Sequence, residues 1–134
     1  MILLNPKKYS AQFSDKESEE IMRKTIDFFE TKGLKKILDD DHNYVWYDDF
    51  LQFQKDNQIF AKFFTPEKYG DKNSRWDTYR IVNYAEILGF YGLCYWYTFQ
   101  VSALGLGPIW IGKNEEVKQK AAKLLKEGAI FAFG

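Results

Sequence analysis

Between Ile87 and Gly112 the chain carries no charged residue. A run of that length has to be hidden from water, either in a bilayer or against other protein. Its own composition decides between the two. Gly89, Gly92, Gly105, Gly107, Gly112 and Pro108 interrupt it, and Thr98, Gln100 and Ser102 lie between them. Glycine and proline break a continuous helix, so a membrane span is the poorer reading and a protein interior the better one. The run then reads as a very apolar helix to about Leu104, a turn at Gly105-Leu106-Gly107-Pro108, and a short apolar segment to Ile111. The partners that would bury it are visible in the composition: 12 Phe, 9 Tyr and 4 Trp in 134 residues predict a core built largely by aromatic packing.

The rest of the chain is helical in pattern. Residues 1–13 read as an extended leader. Ser14-Asp15-Lys16-Glu17 has the form of a capping box, after which Ile21, Met22, Thr25, Ile26 and Phe29 share one helical face up to a stop at Gly33. Residues 39–47, polar and then aromatic, read as a loop. Asp48 and Asp49 suit the first turn of a second helix with Phe50, Leu51 and Phe53 inward. Pro66 and Gly70 mark a break that continues to Ser74, and Asp77 caps a third helix to about Leu88. Asn114 caps the last helix, with Glu115 and Glu116 at its start, lysines towards its end, and Val117, Ala121, Leu124 and Leu125 as its buried stripe; Gly128 stops it. Residues 129–134 have β character. The expectation is one all-α domain over 1–134, a bundle of about five to six helices with a short terminal β segment.

Chemistry is scarce. Nineteen basic residues balance nineteen acidic ones without a basic stripe, which argues against nucleic acid as a partner. The single cysteine, Cys94, forms no internal disulfide and suits a reducing, cytoplasmic setting; the N-terminus has no signal-peptide pattern. His42 is the only histidine and lies in an acidic stretch, so a Cys94–His42 pair would join a buried helix to an exposed loop. Counted from Asp39, a calcium loop would need glycine and glutamate where Tyr44 and Phe50 stand, and too few His and Cys are present for zinc. Gly105-Leu106-Gly107 runs into proline and is no phosphate-cradling loop. Glu86, at the edge of the apolar run, suits a salt bridge or a cap better than catalysis. The residues themselves suggest no metal site and no catalytic centre.

Several segments in order resemble the acyl-CoA dehydrogenase family. Pro66-Glu67-Lys68-Tyr69-Gly70 is similar to its proline–glutamate–x–x–glycine turn, although Asp71 stands where a second glycine is frequent. Tyr84-Ala85-Glu86-Ile87-Leu88-Gly89 is similar to its glutamate-bearing helix. Ala103-Leu104-Gly105, Pro108-Ile109 and the stretch Gly112 to Lys120 resemble the pocket helix and its successor, and Gly128 to Gly134 resembles the entry to the first strand of the middle domain. The match covers roughly residues 60–134.

The resemblance implies the N-terminal helical domain of an FAD-dependent enzyme that desaturates an acyl-CoA thioester. Residues 129–134 would begin a middle β domain, and the flavin motif and the catalytic base would lie outside this chain. The segment alone would be inactive. By the same resemblance Tyr97, Gln100, Val101 and Leu104 match positions lining the acyl pocket, and Phe133 matches an aromatic beside the flavin; Tyr97, Val101 and Leu104 also share a helical face. The pocket helix is unusually aromatic, with Tyr91, Tyr95, Trp96, Tyr97 and Phe99. Implied partners are the acyl-CoA substrate, the remaining domains of the parent enzyme, further copies in a dimer or tetramer, and an electron-transfer flavoprotein. An acyl-CoA oxidase or related flavoenzyme of the same fold is the nearest alternative, and a non-catalytic helical interaction module the next.

Overall fold

The computed structural model describes residues 4–11 and 13–132. A 3-10 turn at Pro6–Lys8 precedes seven helices: α1 (Lys16–Lys32), α2 (Leu34–His42), α3 (Asp48–Asp56), α4 (Ile59–Phe64), α5 (Thr78–Tyr91), α6 (Leu93–Ile111) and α7 (Glu115–Lys126). The fold is an all-α bundle, and among the described residues it contains no strand. No helix in this range is long and apolar enough to cross a membrane. The described part of the leader is not merely extended: Leu4, Tyr9 and Phe13 pack on the core.

Short α4 sits at the centre. Ile59, Phe60, Ala61, Phe63 and Phe64 are all buried, leaving Lys62 as its one polar residue, and a helix apolar on nearly every side has to be enclosed. It packs against α3, α6 and α7, while α5 packs between α1 and α6. The interior is an aromatic lattice. The ring of Phe99 lies 5.5 Å from Phe60, 5.9 Å from Phe63, 4.6 Å from Phe64 and 5.0 Å from Tyr84, centroid to centroid. Offset and edge-on pairs of this kind add about 0.5–1.5 kcal/mol each to the burial of the rings.

One buried charge ties the long 65–77 connection to this core. The Arg80 guanidinium lies 4.5 Å from the centroid of the Phe63 ring and donates to the carbonyls of Asn73 (2.9 Å) and Lys62 (2.8 Å). Burial pulls its pKa down to about 10, so it remains charged at neutral pH. Asp77 caps α5 as expected, accepting from the Tyr79 and Arg80 amides.

The first helix follows its pattern, with Ile21, Met22, Thr25, Ile26 and Phe29 buried and Gly33 at the end. Its cap differs. Asp15, not Ser14, accepts from the Ser18 amide at 2.7 Å, because a carboxylate there also pairs with Arg75 at 2.8 Å. Ser14 Oγ accepts instead from Arg75, and Glu17 pairs with Lys62 rather than closing a capping box.

The expected loop from residue 39 is helical to His42. Only Ile37 and Asp40 of α2 are buried, so its apolar stripe is too thin to read. It is held instead by charge, with Asp40 between Lys36 and Lys32. On α7, Asn114 caps and Ala121 and Leu125 are buried, but Val117 is 44 % exposed and Leu124 only half-buried.

The largest correction is α6. No turn forms at Gly105 to Pro108; the helix runs through to Ile111. Tyr95, Thr98, Phe99, Ser102 and Leu106 are buried at spacings of three and four, and this packing outweighs about 1 kcal/mol of lost propensity per glycine. Pro108 leaves only the Leu104 carbonyl without its helical donor, on a residue that is exposed. Gly107 before it has no Cβ to collide with the proline ring.

Residues 129–132 form no strand. With no neighbouring strand to pair with, the Phe131 amide donates to Ser102 Oγ at 3.1 Å, and that hydroxyl donates to the Phe131 carbonyl at 3.2 Å. Gly105 lets the segment approach: a Cβ there would lie 2.9 Å from the Ala132 carbonyl oxygen.

Candidate functional site

Continuing α6 to Ile111 gives it an outer face that the sequence pattern had cut short. Tyr97, Leu104 and Ile111 follow one another at seven-residue spacing and are 61 %, 53 % and 87 % exposed. Val101 and Gln100, between them, are half-buried. The four residues singled out for an acyl pocket thus lie outside the packed core, on a helix whose opposite face is fully occupied.

Gln100 and Leu104 come together with Trp76, Ala103, Gly107, Pro108 and Ile111 around an open groove of about 880 Å³. Tyr97 and Val101 are on the same side of the helix but do not line it. Trp76 comes from the connection before α5, a segment whose pattern gave no reason to place it against α6. The others, Gly107, Pro108 and Ile111, went unrecognised because the helix was expected to end before them. The seven-residue step from Tyr97 to Leu104 to Ile111 was the available signal.

The groove's chemistry is simple. Its lining contains no ionisable side chain, and the Gln100 amide is its only polar side chain apart from the Trp76 indole N–H. Such a surface can hold an apolar chain and exclude water from it. It holds no side chain that could transfer a proton. Phe133, the residue matched to a flavin contact, lies outside the described residues.

Other reactive groups are dispersed. Among the described residues no three His, Cys, Asp or Glu side chains converge on a metal position. His42 ends α2 and is exposed; Glu86 is exposed on α5 and makes no ion pair among the described residues. Cys94 is exposed at the start of α6 rather than buried as expected, and partial burial still raises its pKa, so its thiol is not activated. Glu115 is the most shifted carboxylate, drawn to about 2 by the Tyr69 hydroxyl and Lys68 at its side. It is an exposed surface cluster that ties α7 to the 65–77 connection.

No protein-family profile, curated protein or solved structure matches this chain.

Proposed function

We propose that this chain is the N-terminal helical part of an FAD-dependent acyl-CoA dehydrogenase, and that the outer face of α6 forms one wall of the acyl pocket. The observation that carries the reading is the groove along α6. It is apolar, uncharged and nearly free of hydrogen-bonding side chains. It lies beside the positions that the sequence resemblance assigns to the acyl chain. A hydrocarbon tail laid in it would be drawn out of water at about 0.8 kcal/mol per buried CH₂.

The described residues offer a flavin no cradle. Gly105 and Gly107 are inside a continuous helix, and no glycine-rich loop faces an open helix N-terminus. In this reading the flavin and the catalytic base are supplied by the rest of the parent enzyme, together with its oligomeric partners and its electron acceptor. The chain's own part is to shape the pocket and keep it dry, so that charge developing at the thioester is not screened by water.

The test is made on the protein expressed from its natural open reading frame. Visible absorbance reads bound flavin, and a panel of acyl-CoAs is then added anaerobically. A yellow protein that bleaches with a subset of the panel supports the reading and identifies the acyl class. A protein that neither retains flavin nor binds acyl-CoA refutes it. Oxygen consumption in place of reduction of an acceptor protein would point to the oxidase alternative.

A further inference from the structure

A second cavity, of about 470 Å³, lies on another side of the bundle, between α2, the loop after it and the start of α6. It is independent of the acyl groove and shares no lining residue with it. Its walls are aromatic. Trp46 stacks on Tyr47 with ring centroids 4.3 Å apart, and Tyr47 meets Tyr95 edge-on at 5.7 Å. The Tyr47 hydroxyl bonds Thr98 Oγ1 at 2.6 Å, which fixes the orientation of the middle ring of the three.

The loop that carries Trp46 and Tyr47 is held in an unfavourable backbone. Tyr44 has φ of +54°, a left-handed conformation that is rare for a bulky residue. The amide of Val45 donates to the Asp40 carbonyl at 2.9 Å and that of Tyr44 to the Asp41 carbonyl at 3.2 Å, so the turn is pinned. Strain of this kind persists where surroundings enforce it, frequently at ligand clamps. The result is that Tyr44 and Trp46, 95 % and 57 % exposed, stand at the mouth.

The floor already binds an ammonium group, that of Lys32. Its Nζ lies 2.6 Å from Asp49 and 3.0 Å from Asp40, with the Tyr95 ring centroid 5.9 Å away. Its charge is therefore answered from within. Counting Lys32 and Lys36 against Asp40, Asp41 and Asp49 leaves one negative charge, and among the described residues no lysine or arginine pairs with Asp41. Aromatic faces attract cations, and quaternary ammonium groups in particular, because the ring presents its negative face to them.

We infer that this cavity is a binding site for a small organic ammonium ion, held against the Trp46–Tyr47–Tyr95 wall with Asp41 as its counter-charge. A methylated ammonium fits better than a bare one: it gives up little hydration on entering, and its methyl groups match the rings.

Cys94, the chain's only cysteine, is in the cavity lining and gives a readout that needs no substitution. The rate of Cys94 alkylation by iodoacetamide is measured against rising choline, and against 3,3-dimethylbutan-1-ol, its neutral isostere. Amide chemical shifts of Trp46 and Cys94 are followed in parallel. Choline is expected to slow alkylation saturably and to shift both amides, while the alcohol does so several times more weakly. Trp46→Ala and Asp41→Asn, both at exposed positions, should each weaken the choline effect roughly three- to fivefold. Equal protection by the alcohol would reduce the site to an apolar cleft and overturn the inference. So would protection that Asp41→Asn leaves unchanged, or the absence of any saturable effect.

Discussion

Tyr97 and Phe99 are two residues apart on α6 and similar in size, yet the fold gives them opposite fates. Phe99 is 1 % exposed and touches four aromatic rings; Tyr97 is 61 % exposed. Truncation of a fully buried Phe costs about 3–5 kcal/mol, from lost burial and from the cavity left in a lattice that cannot collapse around it. With an unfolding entropy of about 2.1 cal/mol/K per residue, a chain of 134 residues loses about 3.5 °C of Tm per kcal/mol. Phe99→Ala should therefore lower Tm by about 11–18 °C. Tyr97→Ala, by contrast, should stay within about 0.5 kcal/mol, or about 2 °C. Thermal unfolding followed by circular dichroism, together with urea titration, measures both. Equal losses would mean that the outer face of α6 is as enclosed as the inner one. The assignment of Tyr97, Gln100, Val101 and Leu104 to an open pocket wall would then fail. Repeating the scan over a range of protein concentrations separates that outcome from self-association, which would make the Tyr97→Ala effect grow with concentration.

On the proposed dehydrogenase reading, the same Tyr97→Ala change in a full-length, flavin-loaded protein should move the preference of flavin reduction towards longer acyl-CoAs; an unmoved preference removes Tyr97 from the pocket. Gly105→Ala should lower Tm despite its gain in helix propensity, because the new Cβ would lie 2.9 Å from the Ala132 carbonyl oxygen, a backbone atom that yields only if the segment moves, and it should speed hydrogen exchange at the Phe131 amide as that segment lifts from Ser102. Asp77→Ala removes a helix cap and a partner of Arg75, and should cost about 1–2 kcal/mol in urea unfolding. Acid should act through the same cluster. Burial pushes the Asp15 and Asp77 carboxyls up, but backbone amides and Arg75 outweigh it and hold both below the usual carboxylate value in the fold. The unfolded chain therefore binds more protons in acid, so the stability these groups give is present above about pH 4 and is lost as pH falls through their folded values. Asp15→Asn with Asp77→Asn should flatten that part of the stability profile, as seen in urea midpoints between about pH 5 and pH 2.

What could be read from the sequence follows from where the physics is local. The stripe of α1, the Asp77 and Asn114 caps and the stop at Gly128 depend on neighbours within a few residues, and each appears as expected. Helix α2 was invisible because it is stabilised by Lys36, Asp40 and Lys32, with little apolar stripe to give it away. The capping serine was displaced by a carboxylate because Arg75, sixty residues away, favours Asp15. Two of the four pocket candidates, Gln100 and Leu104, do line the groove, whereas Trp76 entered it only through the tertiary path of the 65–77 connection. Of the second cavity, the sequence pattern shows only a polar and then aromatic loop over residues 39–47. Their convergence needed the left-handed turn at Tyr44, which no sequence rule requires of a tyrosine.

The misread glycines of α6 show how local and tertiary demands compete, and what the competition achieves. Gly105 and Gly107 weaken the helix, and on propensity alone the chain should turn there. Each also leaves out a side chain where the space beside the helix is used. At Gly105 it holds the backbone of Ala132, seated one turn from the Ser102 hydroxyl that holds Phe131 at both its amide and its carbonyl. At Gly107 it is the open groove, where a Cβ would meet no other atom within 4 Å and would narrow the space beside Leu104. The glycines are thus compatible with a helix because two buried residues, Ser102 before them and Leu106 between them, anchor it through the weak stretch. One rigid element then fixes two things relative to each other: the apolar groove on its outer face and the path of residues 129–132 beside it. A loop at 105–108 would have left those two free to move apart, whereas the continuous helix holds them at a set distance.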